Sequence, residues 1–309
     1  MREKIAVVVS KDRHPRPEQQ AMQSLLLAGL EHRPEFDVVV VPHLYDLKPD
    51  GSAVRHLRSI QGDMIVLAWL YPRSAFWVLD ANAVRGRIGS TSSLAEEEPL
   101  EPAKRKRSQE DTTDRTIWCF DLRAHDDAKP YLRQIEEIVA QKSGLAERAE
   151  EVASTANGKA KELEESARSR WYPVIDLDRC TDCKECLNFC LFGVYSLDER
   201  GALLVEQPDA CRPGCPACAR ICPAGAIIFP QHKDPAIAGD PRASLQGLKL
   251  DLSQIFAGVD PAALAAQERA RALAGEGLLP NAPTAETAKQ PAMKPTLDQL
   301  VDKVDELDL

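Results

Sequence analysis

The chain contains no apolar run approaching the roughly 20 residues that a membrane-spanning helix requires, so no membrane span is expected. It also lacks an excess of positive charge: 48 acidic against 39 basic residues leave a formal charge of −9. Phosphate binding wants a concentrated basic face, so nucleic acid is not expected as a partner. The acidic balance suits a carrier that docks electrostatically on basic partners, and equally suits simple dispersion in water. One basic quartet, Lys104 to Arg107, is largely neutralised by Glu96 to Glu98 and by Glu110 and Asp111. A signal peptide is not expected, because Met1-Arg-Glu-Lys leads straight into an apolar strand. A cytoplasmic location is therefore expected, and disulfides, which need an oxidising compartment, are not. Glycine is missing from Ser10 to Pro17, and two prolines there lack amide donors, so that loop offers no backbone cradle for phosphate.

Cysteine is what the chain does have, and in one place. Eight of its nine cysteines lie between Cys180 and Cys222, in two sets of four. The first set runs Cys180-x2-Cys183-x2-Cys186-x3-Cys190, and the second Cys211-x3-Cys215-x2-Cys218-x3-Cys222, followed by Pro223. Three thiolates two residues apart can curl around a cubane of iron and sulfide, while the fourth, after a three-residue gap, points toward a second cubane. Structural zinc prefers paired knuckles separated by a spacer, and the third and fourth thiols crowding each half suit it poorly. Cys119, alone in a strand-like apolar run, reads as a small core residue.

Both runs and the Cys222-Pro223 ending resemble those of bacterial-type two-cluster ferredoxins. The resemblance implies crossed ligation, with Cys180, Cys183, Cys186 and Cys222 on one 4Fe-4S cluster and Cys211, Cys215, Cys218 and Cys190 on the other. The halves repeat beyond their thiols, since Cys190-Leu-Phe-Gly193-Val matches Cys222-Pro-Ala-Gly225-Ala. A glycine at that place suits a turn of positive φ, and the apolar runs that follow, Val194-Tyr195 and Ala226 to Phe229, suit the exclusion of water. Leu191 stands where the pattern often has proline. Cys211 to Cys215 carries one residue more than usual, filled by Arg212-Pro213-Gly214, whose turn chemistry can absorb an insertion.

Residues 1–144 read as an α/β domain built on a four-stranded parallel sheet in three layers. Strands are expected at Ile5 to Ser10, Phe36 to Val41, Asp63 to Leu70 and Arg115 to Leu122, continuous apolar runs of the kind buried on both faces. Helices are expected from Pro17, with Ala21, Leu25, Leu26, Ala28 and Gly29 or Leu30 recurring at helical spacing until Pro34, from Ser52 to Ile60, from a Ser74 cap to near Gly86, and from Asp126 to Lys142. Residues 90–114 hold almost nothing apolar and read as a disordered insertion. Ligands of open α/β sheets sit outside the carboxyl ends of the strands. The cationic groups there, Arg13, His14, Arg16, Arg73 and Arg123, together with a helix capped by Ser74, define a candidate anion site. The element order resembles flavodoxin, without its glycine-bearing phosphate loop. A fainter similarity is to the small chelatases of tetrapyrrole synthesis, with His14 lacking their flanking Gly-x-Gly.

Residues 145–170, rich in Ala, Glu, Lys and Arg with a narrow alanine stripe, read as a helical connector to a small α+β cluster domain at 171–235. Residues 236–309 read as a largely flexible tail with short helices at Asp260 to Ala274 and around Leu297 to Leu307. Three functions follow from this layout. The first is a carrier passing single electrons between redox protein partners through two 4Fe-4S clusters, with no acid, base or nucleophile of its own. The second is an oxidoreductase whose amino-terminal domain binds flavin or nucleotide. The third is a non-catalytic wire within a larger oxidoreductase complex.

Overall fold

Apolar β-branched runs cannot face water on either side, and here they stack as a parallel sheet with helices on both faces. The computed structural model describes residues 4–31, 33–92, 114–143, 160–165 and 168–243, which fall within one unit spanning residues 1–250. Its elements are β1 (Ile5–Ser10), α1 (Pro17–Glu31), β2 (Phe36–Val41), α2 (Ser52–Ser59), β3 (Met64–Ala68), α3 (Pro72–Ala81), β4 (Arg87–Ile88), β5 (Thr116–Asp121) and α4 (Lys129–Ser143). There follow β6 (Lys161–Glu162), β7 (Val174–Ile175), α5 (Glu185–Phe189), β8 (Tyr195–Leu197), β9 (Leu203–Val205), α6 (Ala217–Ile221), β10 (Ile227–Ile228) and α7 (Pro235–Ala238). Among the described residues no helix is long and apolar enough to cross a membrane.

The α/β architecture holds, but the sheet has six strands where four were expected, in the order β4-β5-β3-β1-β2-β6, all parallel. The two additions are edge strands of two residues each, too short to carry a periodic signal. β6 also corrects the expected helical connector at its described end. Lys161 and Glu162 pair with Val39 and Val40, and the Leu163 amide bonds the Val40 carbonyl at 2.9 Å. Covering the open edge of β2 satisfies backbone groups that a narrow alanine stripe had no apolar surface to outweigh. Just beyond it, the Glu165 carboxylate accepts from the Ala53 amide and so caps α2, whose own first residues supply no side-chain cap. Residues 144–159, most of the expected connector, lie outside the described residues, as do residues 93–113 of the expected insertion and the expected tail helices.

Three layers follow from the alternation of side chains along each strand. Val7, Val9, Val38, Val40, Ile65 and Leu67 face α1 and α4, while Val8, Val39, Val41, Met64, Val66 and Ala68 face α2 and α3. Helix α1 buries Met22, Leu26 and Leu30, an i, i+4, i+8 row, and leaves Leu25 63% exposed. Each leucine so buried stabilises the fold by roughly 1.5–3 kcal/mol. Helix α3 begins at Pro72, with no side-chain cap at Tyr71, so the expected Ser74 cap is also corrected: proline pre-sets the first turn and Ser74 is used elsewhere. It ends at Ala81 rather than near Gly86, stopped by Ala83 at φ +57°.

The cysteine-rich part is small and tied at its base. β7, which precedes the first thiol set, pairs antiparallel with β10, which follows the second, so Ile227 lies opposite Ile175 and Ile228 opposite Val174. A β8–β9 hairpin closes one side, and α5 and α6 carry the third thiol of each set. α7 extends the buried cluster, with Ile237 fully enclosed and the Phe229 amide bonded to the Ile237 carbonyl at 2.9 Å.

Candidate metal centre

Local hydrogen bonding shapes both thiol loops. After β7, the Asp176 carboxylate accepts from the amides of Asp178 (2.9 Å) and Arg179 (3.0 Å), and its carbonyl accepts from the Cys180 amide (2.9 Å). The loop then curls through Asp182 and Lys184, non-glycine residues at φ +55° and +63°, before α5 presents Cys186. In the second half, the Cys215 amide donates to the Arg212 carbonyl at 3.0 Å with Pro213 and Gly214 between them and Gly214 at φ +78°. Proline second and a positive-φ glycine third is the arrangement of a type II turn, and it takes up the extra residue before Cys215. Gly193 and Gly225 stand at φ +67° and +60°, the positive values expected after the fourth cysteine of each run.

The fold brings the last member of each run to the opposite set. Cys180, Cys183, Cys186 and Cys222 line one void, closed by Ile175, Leu203, Ala226 and Ile227. Burial, then the Cys222, Cys180 and Cys183 thiols, push the Cys186 thiol up to about 12. On the other side, burial and the neighbouring Cys215 and Cys190 push Cys211 up to about 12. Cys218 rises to about 12 through burial and the Cys211, Cys186 and Cys190 sulfurs, against a hydrogen bond from Tyr195 that lowers it. Cys186 is thus near both sets. Two further contacts reach the sulfurs and their loops: the Ala226 amide donates to Cys222 Sγ at 3.3 Å, and the Trp171 indole N–H to the Cys215 carbonyl at 3.1 Å.

Four cysteine thiols about one void are a donor set of the kind an iron–sulfur cluster would take. Among the described residues, no three His, Cys, Asp or Glu side chains converge where a single ion could bind. A cubane asks for something else, one thiolate per iron spread about a void. Burial at Cys186 and Cys218 favours the neutral thiol, and a bound cationic group would draw it to thiolate. Cys119 is fully buried in β5, and burial raises its thiol further still, as befits a core residue.

Of the residues expected at an anion site, Arg73, Ser74 and Arg13 turn their side chains to other partners within the chain, and Arg123 turns to Asp121 at 2.7 and 2.8 Å. Arg73 donates from Nε to Asp176 Oδ2 at 2.6 Å and from a terminal nitrogen to the Gly225 carbonyl at 2.8 Å, with both side chains 4% exposed. Ser74 Oγ donates to the Ala238 carbonyl, and a Cβ at Gly239 (φ +93°) would collide with that hydroxyl. Arg13 grips Asp46 with two nitrogens and also bonds the Arg170 carbonyl at 3.1 Å. His14 is exposed, with its backbone amide on Asp12. The carboxyl ends of the strands therefore meet the chain's own cysteine-rich part. Tyr45 stacks on Tyr172 at 4.4 Å between ring centroids, its hydroxyl donates to the Tyr172 carbonyl, and it accepts from the Tyr172 amide at 2.7 Å. His43 Nε2 lies 3.1 Å from Gln231 Nε2, and burial lowers its pKa to about 4 despite Asp46 nearby.

Asp176, Tyr172 and the Tyr195 hydroxyl went unread in the sequence. Only Tyr195 left a legible signal, because the internal repeat sets it against Ile227.

Comparison with known proteins reaches the same region of chemistry by another route. The chain is 46% identical over 66 residues to an uncharacterized ferredoxin of Methanocaldococcus jannaschii, which covers 21% of this chain and 44% of that protein. It is 36% identical over 55 residues to pyruvate synthase subunit PorD of the same organism, covering 18% of this chain and 62% of the subunit. No protein-family model matches the chain. No solved structure matches it either. The chain spans about half the length of the curated relatives it matches, and these similarities support a ferredoxin-type domain over about a fifth of its residues.

Proposed function

We propose that this chain is an electron-transfer protein holding two 4Fe-4S clusters, one on Cys180, Cys183, Cys186 and Cys222 and the other on Cys211, Cys215, Cys218 and Cys190. The observation that carries the reading is the exchange of fourth thiols. Cys222 shares a void with the first run, and Cys190 neighbours Cys211 and Cys218 of the second. When bound, such clusters take up and release single electrons. The eight thiolates anchor the irons, while Ile175, Leu203, Ala226 and Ile227 keep water from the first site. Cys183 is exposed and offers a short path for an electron to a docked partner. Residues 171–235 form the cluster domain in this reading, and residues 1–144 serve as its platform.

A second reading, a wire within a larger oxidoreductase complex, is favoured by the similarity to pyruvate synthase subunit PorD. Anaerobic purification with iron, sulfide and flavin quantified together tests the first. About eight irons and eight sulfides per chain without flavin are expected. Far fewer irons, or zinc in their place, would refute it. Co-purification with a large oxidoreductase partner selects the second reading.

A further inference from the structure

The two halves of the cysteine-rich part repeat, and the repeat breaks at one chemically telling position. Cys190-Leu-Phe-Gly-Val-Tyr195 aligns with Cys222-Pro-Ala-Gly-Ala-Ile227, so Tyr195 and Ile227 occupy the same place in the two halves. Both are buried, at 6% and 4% exposure. Ile227 lines the void of the first thiol set and offers it only hydrocarbon. The Tyr195 hydroxyl donates to Cys218 Sγ, in the second set, at 3.1 Å.

We propose that Tyr195 sets the reduction potential of the cluster on Cys190, Cys211, Cys215 and Cys218 above the value its thiolates alone would confer, and acts on that cluster far more than on the other. The inference rests on the two-cluster reading above. An added electron raises the negative charge on cluster and ligands, and a hydrogen bond to a ligand sulfur stabilises the more negative state more strongly. Tyr195 is 6% exposed, which limits the access of water to the position of its hydroxyl. The first set has isoleucine in the equivalent position and receives no such donor there. If both clusters are bound, a hydrogen bond at Cys218 alone would bias a shared electron toward the site on Cys190, Cys211, Cys215 and Cys218. Tyr195 touches a ligand rather than the irons and is a positioning residue.

The test uses the full-length, cluster-loaded protein under anaerobic conditions, with Tyr195→Phe as the variant because it keeps the ring and removes only the hydroxyl. Redox titration followed by electron paramagnetic resonance reads both midpoints. Paramagnetically shifted proton resonances of the Cys218 and Cys186 methylenes report which site has changed. The expected result is a fall in one midpoint equivalent to about a tenfold change in its redox equilibrium, about 59 mV for one electron. The Cys218 resonances move and the other midpoint shifts far less. Incorporation of a difluorotyrosine at position 195, whose more acidic hydroxyl donates more strongly, should move the same midpoint upward. Unmoved midpoints, equal shifts in both, or a downward shift with difluorotyrosine overturn the proposal. Wild-type protein with far fewer than eight irons overturns the two-cluster reading and this inference with it; eight irons with an unmoved midpoint overturns the inference alone.

Discussion

Replacing Arg73 with Met removes a guanidinium from the junction between the sheet and the cysteine-rich part while keeping much of its apolar stem. Arg73 and Asp176 are each 4% exposed and meet at 2.6 Å, so the substitution strands a buried carboxylate. Breaking such a pair from one side typically costs 3–5 kcal/mol. The lower end applies here, because Asp176 keeps the Asp178 and Arg179 amides and has Arg179 Nε at 3.6 Å. The Gly225 carbonyl also loses its donor. A net loss of about 3 kcal/mol corresponds to roughly a hundredfold change in a local opening equilibrium. Native-state hydrogen exchange on the loaded protein reads that equilibrium directly. The Asp176 amide, bonded to Ala226 across the β7–β10 pair, and the Cys180 amide, bonded to Asp176, should exchange about a hundredfold faster. Adding Asp176→Asn removes the stranded charge, so the double variant should exchange more slowly than Arg73→Met alone. Less than about fivefold acceleration at both amides, or strict additivity in the double variant, would refute the claim that this bridge holds the thiol loops to the sheet.

Cys183→Ala should remove iron from the first site and leave the second about half the total, and Cys218→Ala the reverse; iron analysis with electron paramagnetic resonance distinguishes them, and equal loss from both sites would contradict separate nests. Tyr45→Phe leaves the Tyr172 amide and carbonyl without their shared hydroxyl and should destabilise the protein by about 2 kcal/mol in urea unfolding; Tyr172→Phe, which loses its bonds to the Tyr45 carbonyl and to Asn82, should cost a similar amount, and no loss in either variant would contradict the claim that these hydroxyls hold the two parts together. Burial holds the His43 pKa in the fold at about 4, below its usual 6.5, so the native state favours the neutral ring. Its contribution is fully present above pH 6.5 and is lost as pH falls toward 4, up to about 3 kcal/mol. In thermal melts followed by tryptophan fluorescence, His43→Gln should therefore flatten the pH dependence between those values; an unchanged slope would show that the imidazole is not buried neutral.

The thiol pattern was legible because spacing along a chain is itself a geometric constraint. Gly193, Gly214 and Gly225 could be read from the same run, since each supplies a backbone conformation its neighbours disfavour, and all three have positive φ. The buried strands β1, β2, β3 and β5 were legible too, as apolar runs with no wet side. Two-residue strands such as β4 and β6 leave no period to detect, and β6 forms because β2 had an open edge, a property of the sheet rather than of Lys161 and Glu162. Ala21, Leu25, Leu26, Ala28 and Leu30 recur at helical spacing yet span too wide an arc for one face: a helix turns about 100° per residue, and the row it buries is Met22, Leu26 and Leu30.

Arginines at the carboxyl ends of strands look alike in sequence whether they await a ligand or a neighbouring part of the same chain. Arg73 is 103 residues from Asp176 and 152 from Gly225, and Tyr45 is 127 from Tyr172. Local composition carries no information about contacts at that separation. From sequence alone, then, came the number and grouping of the thiols, the turns that bend the chain around them and the strands that fill a sheet, all consequences of near-neighbour stereochemistry. Only the tertiary structure decided that the strand ends close on the cysteine-rich part and that a tyrosine hydroxyl reaches one sulfur, because each depends on where chain segments far apart in sequence come to rest against one another.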